Sequence, residues 1–117
     1  MKTILQRVNG IATSIEFWVG QCAQENDDLL RKASPDDMWF HVSSAPSCHV
    51  VAILPSGTTY TKKQLKKIAI QGGVLCKQYS RFKSAKDVAI LYARVHDVHR
   101  TDTVGTVTVE TFSTVVI

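Results

Sequence analysis

Asp36-Asp37-Met38-Trp39-Phe40-His41-Val42-Ser43-Ser44-Ala45-Pro46-Ser47-Cys48-His49-Val50-Val51 is the stretch on which the fold turns. It holds one of two tryptophans, two of four histidines and one of three cysteines. An apolar and aromatic run, Met38 to Val42, leads to a polar turn around Pro46. A second run, His49 to Leu54, follows. Two short β-prone runs separated by a turn predict a pair of adjoining strands. His41 and His49 would then sit near the ends of neighbouring strands, where recognition or chemistry can be built.

Outward from this pair, the chain alternates strands with two helices. Met1 to Val8 reads as an edge strand, Asn9-Gly10 as a turn, and Ile15 to Val19 as the returning strand, ended by Gly20. Asn26 reads as the N-cap of a short helix ending near Ala33, with Asp27 and Asp28 in its first turn and Arg31 and Lys32 in its last. Ser34-Pro35-Asp36-Asp37 breaks it. Thr61 caps the strongest helix, expected to run to about residue 83. Leu65, Ile68, Ala69, Gly72, Leu75, Cys76 and Tyr79 share one arc of it at about 100° per residue. Lys62, Lys63, Lys66, Lys67, Lys77 and Arg81 share the opposite arc, with Ile70 and Val74 among them. Gly72, in the apolar arc, predicts a close approach to the sheet. Val88 to Val95 is a further strand, and His96 to Gly105 is polar and turn-rich. Val104 to Val109 and Ser113 to Ile117 read as two last strands, joined at Glu110-Thr111-Phe112. The expected fold is α+β: one domain over residues 1–117, a mainly antiparallel sheet packed against one long basic helix and one short helix.

Charge narrows the function. The 117 residues carry a net charge of +4. Between Thr61 and Lys86 stand eight cations and no acid: Lys62, Lys63, Lys66, Lys67, Lys77, Arg81, Lys83 and Lys86. Between Cys22 and Asp37 the balance reverses. A face of one sign suits a polyanion, because a merely soluble surface mixes signs. Arg94, His96, His99 and Arg100 form a second, weaker basic cluster. No apolar run approaches the ~18 residues of a membrane span. The N-terminus lacks the apolar core and cleavage site of a signal peptide. Three scattered cysteines argue against a disulfide framework and for a reducing, cytoplasmic setting.

Other chemistries fit less well. Adjacent Cys48 and His49 point to opposite faces of a strand, so they form neither a nucleophile–base pair nor a ligand pair. No histidine or cysteine spacing matches a zinc site, and Gly72-Gly73 lies inside a helix rather than in a phosphate-binding loop. Neither metal nor cofactor is expected, and no catalytic constellation is identifiable.

Several segments together resemble a known family. They are Val19-Gly20, Glu25-Asn26-Asp27-Asp28-Leu29, Pro35 to Val42 with its Trp39-Phe40-His41, Ser47-Cys48-His49-Val50-Val51, and Val104-Gly105-Thr106-Val107. In this order they resemble the NFACT-R domain, in its stand-alone eukaryotic coiled-coil-containing form, over roughly Ile15 to Ile117. The resemblance implies RNA binding, since such modules belong to quality-control proteins of translation that bind the large ribosomal subunit and transfer RNA. Two features depart from the family pattern. Cys48 replaces a residue that is more often small or polar, and His96 to Arg100 replaces a turn usually richer in lysine.

The reading is therefore an RNA-binding module, associated with the ribosome or tRNA. Its phosphate contacts would come from Lys62, Lys63, Lys66, Lys67, Lys77, Arg81, Lys83 and Lys86, with Arg94 and Arg100 in support. His41 and His49 would donate hydrogen bonds to RNA. Two other classes remain: an RNA-modifying or hydrolytic enzyme using His41 and His49 as acid and base, and a module docking an acidic protein. DNA is the other nucleic-acid ligand, because phosphate contacts do not discriminate.

Overall fold

The computed structural model describes all residues from Met1 to Ile117. Its centre is a six-stranded sheet, antiparallel throughout, in the order β1-β2-β4-β3-β5-β8. The strands are β1 (Lys2–Gln6), β2 (Ile15–Gly20), β3 (Met38–Val42), β4 (His49–Ile53), β5 (Ala89–Arg94) and β8 (Ser113–Val116). A separate ribbon pairs β6 (Val98–Arg100) with β7 (Val107–Val109). Helices α1 (Ala23–Lys32) and α2 (Lys62–Gln78) pack on opposite faces of the sheet.

Alternation along β3 and β4 sorts the core into two layers, because successive side chains on a strand point to opposite faces. Met38, Phe40 and Val42 join Val50 and Ala52 under α2, with Ile68, Ala69, Leu75 and Cys76. Trp39 and Val51 lie on the other face beneath Leu29 and Leu30 of α1 and Val98 of the ribbon. The α2 layer is the larger one. It closes where the helix backbone meets the Phe40 ring at Gly72, as the apolar arc predicted.

The predicted cap of α2 is present. The Thr61 hydroxyl accepts from the Gln64 N–H at 3.1 Å, and the Gln64 side chain accepts from the Thr61 N–H at 2.9 Å. Its C-terminus comes earlier than expected, at Gln78 rather than near residue 83. Ser80 explains this. Its hydroxyl donates to the Lys77 carbonyl and accepts from the Phe82 N–H, so it competes with the helical ladder. Arg81 and Lys83 therefore belong to the turn after the helix.

Helix α1 corrects the expected cap. Its N-cap is Cys22, directly after β2, and Asn26 lies inside the helix, 7% exposed. Tertiary bonds draw Asn26 inward: its Oδ1 accepts the His49 N–H at 3.1 Å. The C-terminal region also differs from expectation. Val107–Val109 pairs with Val98–Arg100, which had read as turn, whereas Ser113–Val116 joins the main sheet beside β5. The two runs are consecutive but are not partners.

Candidate nucleic-acid interface

None of the eight cations between Lys62 and Lys86 is paired with a carboxylate. The five ion pairs of the molecule all lie elsewhere. Lys62, Lys63 and Lys66 are exposed and Lys67 is half-buried, all within the first two turns of α2. Ile70 and Val74, 39% and 37% exposed, separate them from Lys77. The Lys77 ammonium donates to the Ile117 carbonyl at 3.0 Å, which ties it to the end of the sheet. Lys83 and Lys86 are exposed on the connection to β5.

The second basic cluster is engaged within the protein. Arg100 donates to both oxygens of Asp27, at 2.7 and 3.2 Å, and Arg31 reaches the same carboxylate at 2.9 Å. The Arg100 guanidinium holds the Asp27 carboxyl below its usual range. His99 meets Glu110 at 2.8 Å, His96 meets Asp97 at 3.2 Å, and Arg94 donates to the Asp36 carbonyl. Asp27 thus ties α1 to the β6–β7 ribbon. An Asp27→Asn substitution is expected to loosen that ribbon while sparing the main sheet. Faster amide exchange at residues 98–109, with a melting temperature lower by several degrees, would show it; unchanged exchange there would refute the tie.

The histidine pair lies at one end of the sheet on the α1 face. Extending the β3–β4 register, in which Trp39 faces Val51, sets His41 opposite His49. The two rings meet edge to face, 4.9 Å between centroids and 86° between planes. Trp39 and His41 are nearly parallel, 7° apart at 5.7 Å. Trp39 Nε1–H donates to His49 Nδ1 at 3.1 Å. His49 is only 3% exposed, and burial pushes it down to about 3. Burial also lowers His41, which is half-buried. Cys48 lies on the opposite face with Cys76, as alternation predicted. Each thiol donates to the other's backbone carbonyl, at 3.5 and 3.8 Å. The Cys48 side chain and burial raise the Cys76 thiol, which leaves a protonated, inert group there.

An open groove of about 780 Å³ lies over the histidine pair. Its lining includes Trp39, His41 and His49, Asn26 at the start of α1, and Tyr79 and Arg81 after α2. The far wall is the turn of the β6–β7 ribbon. There Gly105 adopts φ +84 and a Cβ would stand 2.9 Å from Ala23 Cα, so only glycine brings the ribbon against α1. Sequence spacing had placed Arg81 on the lysine face, but the break at Ser80 turns it to the groove. The sequence marks Asn26 as a cap, whereas the structure places it in the groove lining. The only sequence signal for the groove is the equal distance of His41 and His49 from the centre of the turn.

Comparison with known proteins identifies the family. The family model for the NFACT protein RNA binding domain matches residues 12–111. The chain belongs to the NFACT RNA-binding domain family. It is similar to coiled-coil domain-containing protein 25 of Danio rerio, 42% identical over 43 residues, which are 37% of this chain and 21% of that protein. The protein of the same name from Mus musculus is 35% identical over 46 residues, 39% of this chain and 22% of its own length. The match thus spans about a fifth of these relatives. Among solved structures, the C-terminal part of the fibronectin/fibrinogen-binding protein from Streptococcus suis shares the fold. It superposes with a TM-score of 0.74 over 100% of this chain and 46% of that one, at 20% identity. No helix is long and apolar enough to cross a membrane.

Proposed function

We propose that this RNA-binding module works in the cytoplasm on ribosomal or transfer RNA, and that the first two turns of α2 make its main phosphate contacts. The observation that carries this reading is electrostatic. Lys62, Lys63, Lys66 and Lys67 crowd the N-terminal end of a helix that has no acid in its first turn. Cations there oppose the helix dipole, at a cost of about 0.3–1 kcal/mol each. Nothing within the protein relieves them, whereas a phosphate backbone would. Lys83 and Lys86 extend the positive surface, Arg81 turns to the groove, and Arg94, Arg100 and Lys77 are held by internal partners.

His41 and His49 suit recognition better than acid–base catalysis. His49 Nδ1 is occupied by Trp39, and the ring stays neutral at working pH, so it supplies no proton-donating imidazolium.

The test is the affinity for transfer RNA as a function of salt. For the intact protein the logarithm of affinity should fall with the logarithm of salt with a slope of about −3 or steeper. Changing Lys62, Lys63, Lys66 and Lys67 to Gln together should weaken binding about 100-fold near physiological salt and flatten the slope by roughly 3. Unchanged affinity and slope would remove α2 from the interface. Partner capture that survives nuclease would point instead to an acidic protein docked on the same lysines.

A further inference from the structure

Trp39 and His41, two residues apart on β3, form a near-parallel pair of rings on the face opposite α2. The pair ends in the groove at His41, whose half-buried ring has no side chain stacked beyond it. Beside it His49 is almost wholly enclosed, yet its hydrogen bonding is incomplete. Nδ1 accepts from Trp39, so the neutral ring carries its proton on Nε2. No protein group accepts from Nε2. No enclosed side-chain nitrogen in the molecule lacks a partner, so Nε2 must reach the solvent of the groove. The result is an oriented donor on a ring that is 3% exposed. At the rim stands Arg81, exposed and free of any carboxylate, with its guanidinium 5.1 Å from the Phe82 ring.

From this arrangement we infer that the groove receives one unpaired nucleotide of the bound RNA. Its base extends the Trp39–His41 stack, an acceptor on the base edge takes the His49 Nε2–H, and its phosphate lies at Arg81. The inference rests on the RNA-binding reading and adds to it a second kind of contact. A base within an A-form duplex shows neither face, so the occupant comes from a loop, a bulge or an end. The volume of about 780 Å³ lies in the range of pockets that hold one small ligand. At 1.5 Å per residue, α2 puts the lysine turns about 20 Å from Arg81, so the two contacts are separable. Burial keeps His49 neutral at working pH, so the donor persists across it.

The test uses protein labelled with ¹⁵N at histidine, titrated with adenosine or uridine monophosphate and, separately, with ribose 5-phosphate. Millimolar nucleotide should shift the His41 and His49 imidazole resonances, and ribose 5-phosphate should not. Equal shifts from both, or none from either, would overturn the site. His41→Ala should weaken binding of a loop-containing RNA about tenfold and leave blunt duplex RNA and the salt slope unchanged, with His41→Phe restoring affinity. A preserved Trp39 indole resonance would show that the variants fold. Equal loss on both RNAs would also overturn the site. Failure of all RNA to bind at low salt would instead remove the RNA-binding reading, and the mononucleotide titration would still decide whether the groove takes a base.

Discussion

Gly72→Ala is expected to destabilise the protein by about 3 kcal/mol, and to do so although alanine is the better helix former. An added Cβ would stand within 2.5 Å of Phe40 Cε2 and inside the contact distance of the rest of the ring. Phe40 cannot move aside. It is fully buried in the middle strand of the β4–β3–β5 trio, beneath Ile68, Ala69 and Cys76. Relief would require α2 to lift from the sheet along its whole contact. The helix-propensity gain of about 1 kcal/mol does not offset that. Gly73→Ala provides the control. Its Cβ would meet Val115 and Ile117 side-chain carbons at 3.1 Å, near the free end of the edge strand, where a few tenths of an ångström can be yielded. That variant should lie within about 1 kcal/mol of the parent. Denaturant unfolding of both variants checks the pair. Equal midpoints for Gly72→Ala and Gly73→Ala would mean that the Phe40 contact does not set the helix–sheet distance.

Acid should unfold the protein in part through His49. In the unfolded chain an imidazole titrates near 6.5, whereas in the folded protein burial lowers His49 to about 3. Above the unfolded value both states are neutral, and the group contributes no pH dependence. As the pH falls below it, the unfolded chain takes up a proton that the folded protein refuses, so stability drops until the folded value is reached. Across that window the loss amounts to roughly 5 kcal/mol. Asp27 also loses stabilisation toward low pH, as protonation removes its bonds to Arg100 and Arg31. The His49 share is isolated by His49→Gln, which keeps an acceptor for the Trp39 indole without titrating. Between pH 6 and 4 its stability should fall less steeply than that of the parent, by up to about 1.4 kcal/mol per pH unit. Parallel curves would show that His49 takes up its proton in the folded state.

What could be read in advance was what short spacing encodes. The apolar and aromatic run from Met38 to Val42 forecast a strand, and Thr61 forecast the cap of α2. The apolar arc forecast the close approach at Gly72, and the run of lysines without an acid forecast a surface of one sign. Each depends on residues within one or two turns of one another, or on consecutive positions of a strand, so local geometry suffices.

The misread features all depend on distant partners. Asn26 has the chemistry of a cap, but the His49 N–H, 23 positions away, draws it into the body of α1. Arg100 counts as a free cation until Asp27, 73 positions away, meets it with both oxygens. Val107–Val109 looks like the partner of the run that follows it, yet it pairs backward with Val98–Arg100. The sequence by itself determined the class of fold, the adjoining pair of strands at its centre and a helix whose exposed arc carries cations and no acid. Only the tertiary structure decided which cations remain free, that Arg81 leaves the lysine face, and that His41, His49 and Trp39 line one groove. A polar side chain takes its role from the partner that folding brings to it, and that partner is set by pairing across the whole chain rather than by its neighbours in sequence.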